Sequence, residues 1–256
     1  MAAWAVTAVF GFLAAVPAGQ GHAALSEAKQ LYEDGAFDRA ASIAHSDESL
    51  DGYVLAARAL LVGNLVAGKD PDPDVEGRAA RFAREAVELD ADHAEANLLL
   101  GIAVGRLAVA SAETGQDVRS LTQESRRHLD RALAAKPDDP TALAASAAWH
   151  FSVIEQAGSL LARLVGADAN EAREQLGRAV ENATDDMLKL LFLAMSAKQS
   201  GAAGARRIAR DVLERLLELE PANRLEELVL DRARAVDFIL RMPGPVNDFT
   251  RDENGA

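Results

Sequence analysis

The stretch DPDPDVEG places Asp70, Asp72 and Asp74 at alternate positions, the spacing at which carboxylates open a calcium loop. That chemistry also needs a glycine at the sixth position and a bidentate glutamate at the twelfth, where this chain has Val75 and Arg81. The segment therefore reads as a stiff polar connector, with Asp74 capping the helix that follows. The other metal-competent side chains are the histidines His22, His45, His93, His128 and His150. None has a second histidine at i+4, so no zinc pair shares a helix face. Trp149-His150 is the one aromatic-imidazole pair. No Gly-x-Ser-x-Gly elbow, Walker glycine-lysine loop or Gly-x-Gly-x-x-Gly accompanies it to complete a hydrolytic or nucleotide site. The 40 acidic residues read as solvated helix faces. The expectation is a non-enzymatic protein with no metal and no cofactor, the alternative from another class being an enzyme with a site built across helices.

The elements that would position a binding site follow from composition. Of 256 residues, 49% are hydrophobic and 26% charged, enough for one substantial core. Aromatic residues make up only 5% while alanine recurs throughout, which suits close-packed helices better than sheets. A net charge of -13 disfavours nucleic acid and anionic surfaces, and Arg126, Arg127 and Arg131 form no basic stripe because Glu124 and Asp130 interrupt them. The chain has no cysteine, which removes disulfides, thiolate sites and a lipid-attachment point together.

Residues 1–26 carry no Asp, Glu, Lys or Arg, and MAAWAVTAVFGFLAAV is an apolar run shorter than a membrane span needs. With the small-residue site Gly21-His22-Ala23 behind it, the run reads as a signal peptide, residues 1–23, cut after Ala23. The expected product is a soluble bacterial periplasmic or secreted protein, not a lipoprotein, with no stable membrane insertion after cleavage. Residues 24–242 form the helical domain, and 243–256 a polar tail expected to be disordered.

A junction recurs along the chain. EAVELDADHAEANLLLG, from Glu85, returns in altered form from Arg131, Arg178 and Arg215, with an opening half-match over Ala28–Ala41 that contains Gly35, Phe37 and Ala40. Small residues recur seven apart on the second helices: Ala79 with Ala86, Ser125 with Ala132, and Ala172 with Ala179, whereas Ala209 is followed by Leu216. Such spacing lets helices cross closely. This junction resembles that of the tetratricopeptide repeat. The fold class it implies is all-α, a right-handed superhelical array of antiparallel helix pairs with about 4–5 units, inter-helix insertions and a C-terminal capping helix over 223–242. Equivalent positions lie 46, 47 and 37 residues apart (Ala86, Ala132, Ala179, Leu216), against about 34 for the standard unit. The excess is assigned to the segments 68–74, 111–123 and 156–170, as long inter-helix connections or extended helix ends.

The segment HLDRALAAKPDDPTALAASAAWHF resembles the regulator of microtubule dynamics family of long-unit repeat proteins. Its Pro137, Asp139, Thr141, Ala147 and Trp149 match that family's turn and the helix after it. The likeness covers 128–181 well and 51–241 loosely. It departs at Ala147, where the family has glycine, and at EQAGSLLARL, where the family is aromatic and basic. What it implies is architecture, together with relatives that hold apolar or lipid-like ligands.

Placing the chain on the repeat pattern brings Leu98, Ile102 and Arg106 to a concave groove, followed by Ala144, Ala148 and Phe151, then Leu191, Met195 and Lys198. This lining is mostly apolar and lacks the cationic set that clamps a carboxylate terminus. It implies a protein or peptide partner, or alternatively a small apolar, amphipathic or lipid-like ligand carried in a closed tunnel. Periodicity leaves open whether these residues line a groove or form core. Trp149 is expected in the core, and His150 as a packing residue.

Overall fold

The computed structural model describes residues 19–111, 118–199 and 204–242. The predicted signal segment up to residue 18 and the tail 243–256 lie outside them, and the proposed cut after Ala23 falls within the first helix. Among the described residues there are eleven helices and no strand, with one helix broken in two at Gly158. Five pairs run in order: α1 (Gly19–Glu33) with α2 (Phe37–His45), α3 (Leu50–Ala67) with α4 (Pro73–Leu89), and α5 (Ala94–Ala110) with α6 (Val118–Ala135). Next come α7 (Pro140–Leu164) with α8 (Ala169–Glu181) and α9 (Met187–Gln199) with α10 (Ala205–Leu217); α11 (Arg224–Arg241) ends the array.

Local chemistry sets where the helices begin. Asp139, Asp168 and Asn223 each cap a helix by accepting backbone N–H bonds. The cap of α4 is Asp72, not Asp74 as the sequence pattern implied. Pro73 takes the first helical position, where its fixed φ fits and its missing N–H costs nothing, so the residue before it becomes the cap. Asp72 Oδ1 accepts from the Asp74 N–H at 2.9 Å and the Val75 N–H at 3.4 Å.

The small residues seven apart do what close crossing requires. Ala79, Ala86, Ser125, Ala132, Ala172, Ala179 and Ala209 are at most 2% exposed, and Leu216 is fully buried as well. The extra length of the long units goes largely into first helices. Of the two readings of the stretch after Gln156, a long connection or an extended helix end, the structure has the second: α7 continues to Leu164, interrupted at Gly158 (φ 74°, ψ 157°). Such positive φ is a conformation that only glycine adopts cheaply.

The last helix does more than cap. It packs on α9 and α10 and also touches α3 and α1, so the end of the array meets its beginning. Two glycine turns make room for it. A Cβ on Gly35 would lie 2.7 Å from Leu228 Cδ1, and one on Gly68 would lie 2.6 Å from Arg232 Cζ. Both turns have positive φ (76° and 64°), so glycine satisfies the backbone and the close approach at once. The first helices of the pairs and α11 thereby line a common concave interior.

Candidate functional site

Two cavities occupy that interior. The larger, about 670 Å³, lies toward the N-terminal ends of α5, α7, α9 and α11, and its apolar wall includes Leu61, Leu98, Leu99, Met187 and Val229. The smaller, about 460 Å³, lies toward the C-terminal ends of α3, α5 and α9, with Leu129, Trp149, Val153 and Met195 in its wall. Leu65, Ile102, Arg106 and Phe192 line both and form the partition between them.

Their charges differ. Four cations (Arg58, Arg106, Lys136, Lys189) and four carboxylates (Glu95, Asp139, Asp186, Glu226) line the larger cavity. In the smaller one the cations are Lys69, Arg106, Lys198 and Arg232, and the one carboxylate among the described lining residues is Asp70. In the larger cavity Arg58 Nε donates to Glu95 Oε1 at 2.8 Å, and both side chains are about one-third exposed. Such a pair contributes at most about 1 kcal/mol. Burial pushes the Tyr32 hydroxyl in the same wall up to about 12, against a smaller opposing pull from Arg58, so it stays a neutral donor.

The partition rests on a buried polar contact. Glu76, in the first turn of α4, is fully buried. Its Oε1 accepts from Arg106 Nε at 2.8 Å and from Asn64 Nδ2 at 3.1 Å. Glu76 Oε2 and Arg106 Nη2 are both buried without a hydrogen-bond partner. Breaking one side of such a pair costs far more than the intact pair contributes, because a charge is left uncompensated.

Trp149 and His150 fall on opposite sides of α7. The indole lines the smaller cavity, donates from Nε1 to the Thr122 carbonyl at 3.1 Å, and has the Arg126 guanidinium 5.1 Å from its ring centroid. His150 is fully buried; its Nδ1 accepts the Asp168 N–H at 3.0 Å, and its Nε2 lies 3.3 Å from Glu171 Oε1 and 2.5 Å from Arg126 Nη1. Burial, and after it the neighbouring Arg126, hold its pKa below the usual imidazole value. It is a neutral bracket between α7 and the start of α8. Other histidines are spent on packing: His45 pairs with Glu85, His93 caps α5, and His128 contacts Asn97. Among the described residues, no group of three or more His, Asp or Glu is placed to hold a metal ion.

Residues 24–236 match the family described as Regulator of microtubule dynamics protein 1-3. The chain belongs to this family. No curated protein matched it. The regulator of microtubule dynamics span takes in every cavity-lining residue, from Tyr32 to Arg232, so both cavities are features of the family domain and not of the ends outside it.

Of the residues assigned to the groove from sequence, Leu98 lines the larger cavity, Ile102 and Arg106 the partition, and Ala148, Met195 and Lys198 the smaller cavity. Ala144, Phe151 and Leu191 line neither and are buried in the core. On α9 the lining positions include Leu188, Phe192, Met195 and Gln199, one residue round from Leu191; on α7 they include Ala145, Trp149 and Ser152. Helices apolar on nearly every side carry too weak a stripe to fix that rotation. Sequence reasoning also missed α3, Glu76 and Arg232. For α3 a signal existed, since Arg58, Leu61 and Leu65 repeat the three- and four-residue steps of one helical face. Nothing local marks Glu76, whose partners Asn64 and Arg106 lie 12 and 30 residues away, or Arg232, which meets Gly68 at the end of a distant helix.

Proposed function

We propose that the protein is a non-enzymatic holder of an elongated apolar or amphipathic ligand, carried in the cavities between its first helices and α11. The observation that supports it is the pair of largely apolar cavities, about 670 and 460 Å³, in an array whose last helix contacts α1 and α3. These volumes lie in the range of small-molecule sites. A protein partner laid along the concave face would share that face with α11, which contacts α1 and α3. A short peptide remains compatible with the charge-balanced larger cavity, and belongs in the same assay. The proposed setting is the bacterial periplasm, on the strength of the N-terminal sequence alone; recovery of the chain with its Met1 terminus intact and only in the cytoplasm would remove that part.

The test uses Trp149, which lines the smaller cavity. In the Trp4→Phe full-length chain it is the remaining tryptophan. Its emission is followed while single-chain amphiphiles and short apolar peptides are titrated, and native mass spectrometry records any co-purified mass. Saturable spectral shifts with amphiphiles and a bound mass are expected. Saturation by peptides alone would replace the ligand reading with the peptide one, and no response from either would remove both.

A further inference from the structure

Both ends of the interior owe some of their charge to the helices around it. Cations gather where helix C-termini point and carboxylates where N-termini point, as the helix dipole favours. Lys69 follows the end of α3, and Arg106 and Lys198 stand near the ends of α5 and α9. Arg232 has no such reason. It sits midway along α11, it lines the smaller cavity, and its guanidinium lies against Gly68, whose missing side chain is what lets it in.

Two of the guanidinium nitrogens of this set lack acceptors. Arg232 Nε and Arg106 Nη2 are buried with no hydrogen-bond partner, although Arg106 Nε is held by Glu76. A buried N–H without an acceptor is costly, and a native fold keeps one where something else supplies the acceptor. No carboxylate among the described residues pairs with Lys69, Lys198 or Arg232. With Arg106 balanced by Glu76, the cavity still holds three cations, Lys69, Lys198 and Arg232, against one carboxylate, Asp70, in a chain whose net charge is -13. Guanidinium groups match the two oxygens of a carboxylate or phosphate, and the same lining includes the Trp149 indole, Phe192 and the aliphatic Leu129 and Val153.

We propose that the smaller cavity is an oxyanion subsite, in which Arg232 and Arg106, with Lys69 and Lys198 at its edge, hold the carboxylate or phosphate end of a ligand whose chain lies along Trp149 and Phe192. This rests on the ligand-holding reading above and narrows it to one class: an unbranched apolar chain with a terminal oxyanion. Arg106 lines both cavities, so a chain longer than the smaller cavity would pass it into the larger one.

The experiment titrates the Trp4→Phe chain with dodecanoate, dodecyl phosphate, dodecanol and dodecyltrimethylammonium, following Trp149 emission and confirming by calorimetry. At least one of the two anions is expected to bind about tenfold or more tighter than dodecanol, as a charge-assisted hydrogen bond warrants, and the ammonium weaker still. Which anion binds tighter identifies the head as carboxylate or phosphate. Arg232→Gln should weaken the preferred anion about tenfold and leave dodecanol unchanged, while Lys29→Gln on the exposed face of α1 should change neither. If Arg232→Gln unfolds the protein, Lys198→Gln on exposed Lys198 replaces it, with a smaller expected loss of the same sign. Dodecanol or the ammonium binding as tightly as both anions would overturn the subsite and leave the ligand-holding reading standing. Failure of all four probes to bind would overturn both.

Discussion

The two cavities share four wall residues and differ in how their charges are handled. In the larger one each cation is matched in number by a carboxylate, several of them caps or first-turn residues whose position is explained by the helix they start. In the smaller one, Arg232 is brought in from α11 with its Nε unsatisfied, beside the shared Arg106, whose Nη2 also lacks an acceptor. A balanced lining is what stable helix termini produce without any ligand. An unbalanced one costs stability, and that cost is the physical ground for assigning the smaller cavity a polar ligand group.

The contrast depends on the partition, so its removal should have the largest effect. Glu76→Ala leaves the Arg106 guanidinium uncompensated and should destabilise the fold by about 3–5 kcal/mol in denaturant unfolding. The paired replacement Glu76→Met with Arg106→Met should recover most of that loss, and with it the distinction between the cavities should vanish in the amphiphile titration. A paired variant as unstable as the single one would show that the contact is not what holds the partition.

Next in size is Gly68→Ala. A left-handed conformation costs a non-glycine residue about 1–2 kcal/mol, and the added methyl group also meets Arg232. Thermal unfolding should register the first effect, and weakened binding of the preferred anion the second. Unchanged affinity would detach Arg232 from the site.

The His150 bracket lies behind the smaller cavity and gives a pH-dependent test. Its folded pKa is below the unfolded value of about 6.5, so between the two the unfolded chain binds more protons. Its contribution is therefore complete above about pH 6.5 and is lost as pH falls through the lower, folded value. Arg126, Glu171, Asp168 and Asp130 are the charged groups that face it or act on it. The pH dependence of the melting temperature below 6.5 should be flatter in His150→Gln than in the parent. Equal slopes would assign the acid sensitivity to the carboxylates instead.

The smallest effect concerns the rims. Lys136→Gln and Lys69→Gln should each alter stability by less than about 0.5 kcal/mol, since both are solvent-facing cations. Only the second should reduce anion binding and its dependence on salt. Equal effects on binding would erase the distinction between the two cavities.

Much of this molecule is legible in the residues themselves. Asp139 before Pro140 announces the start of α7, Gly35 and Gly68 announce turns, and alanines seven apart announce helices that cross closely. Each of those signals acts within a turn or two of its own residue, where backbone sterics and hydrogen bonding decide. Leu98, Ile102 and Arg106 could be assigned to one face by the same reasoning. Leu191 and Phe151 could not, because α7 and α9 are buried against several neighbours and apolar residues surround the helix.

By itself, the sequence determined an all-helical array of long repeated pairs, the small residues at its crossings, and the absence of cysteine chemistry. Only the tertiary structure decided that α11 returns to α1 and α3, that Glu76 lies buried beneath Arg106, and that Arg232 enters beside Gly68. Local preferences act over a few residues, whereas the contact between the two ends depends on the rotation accumulated from one pair to the next. A small change in crossing angle, repeated along the array, separates an array whose ends meet from one whose ends stay apart.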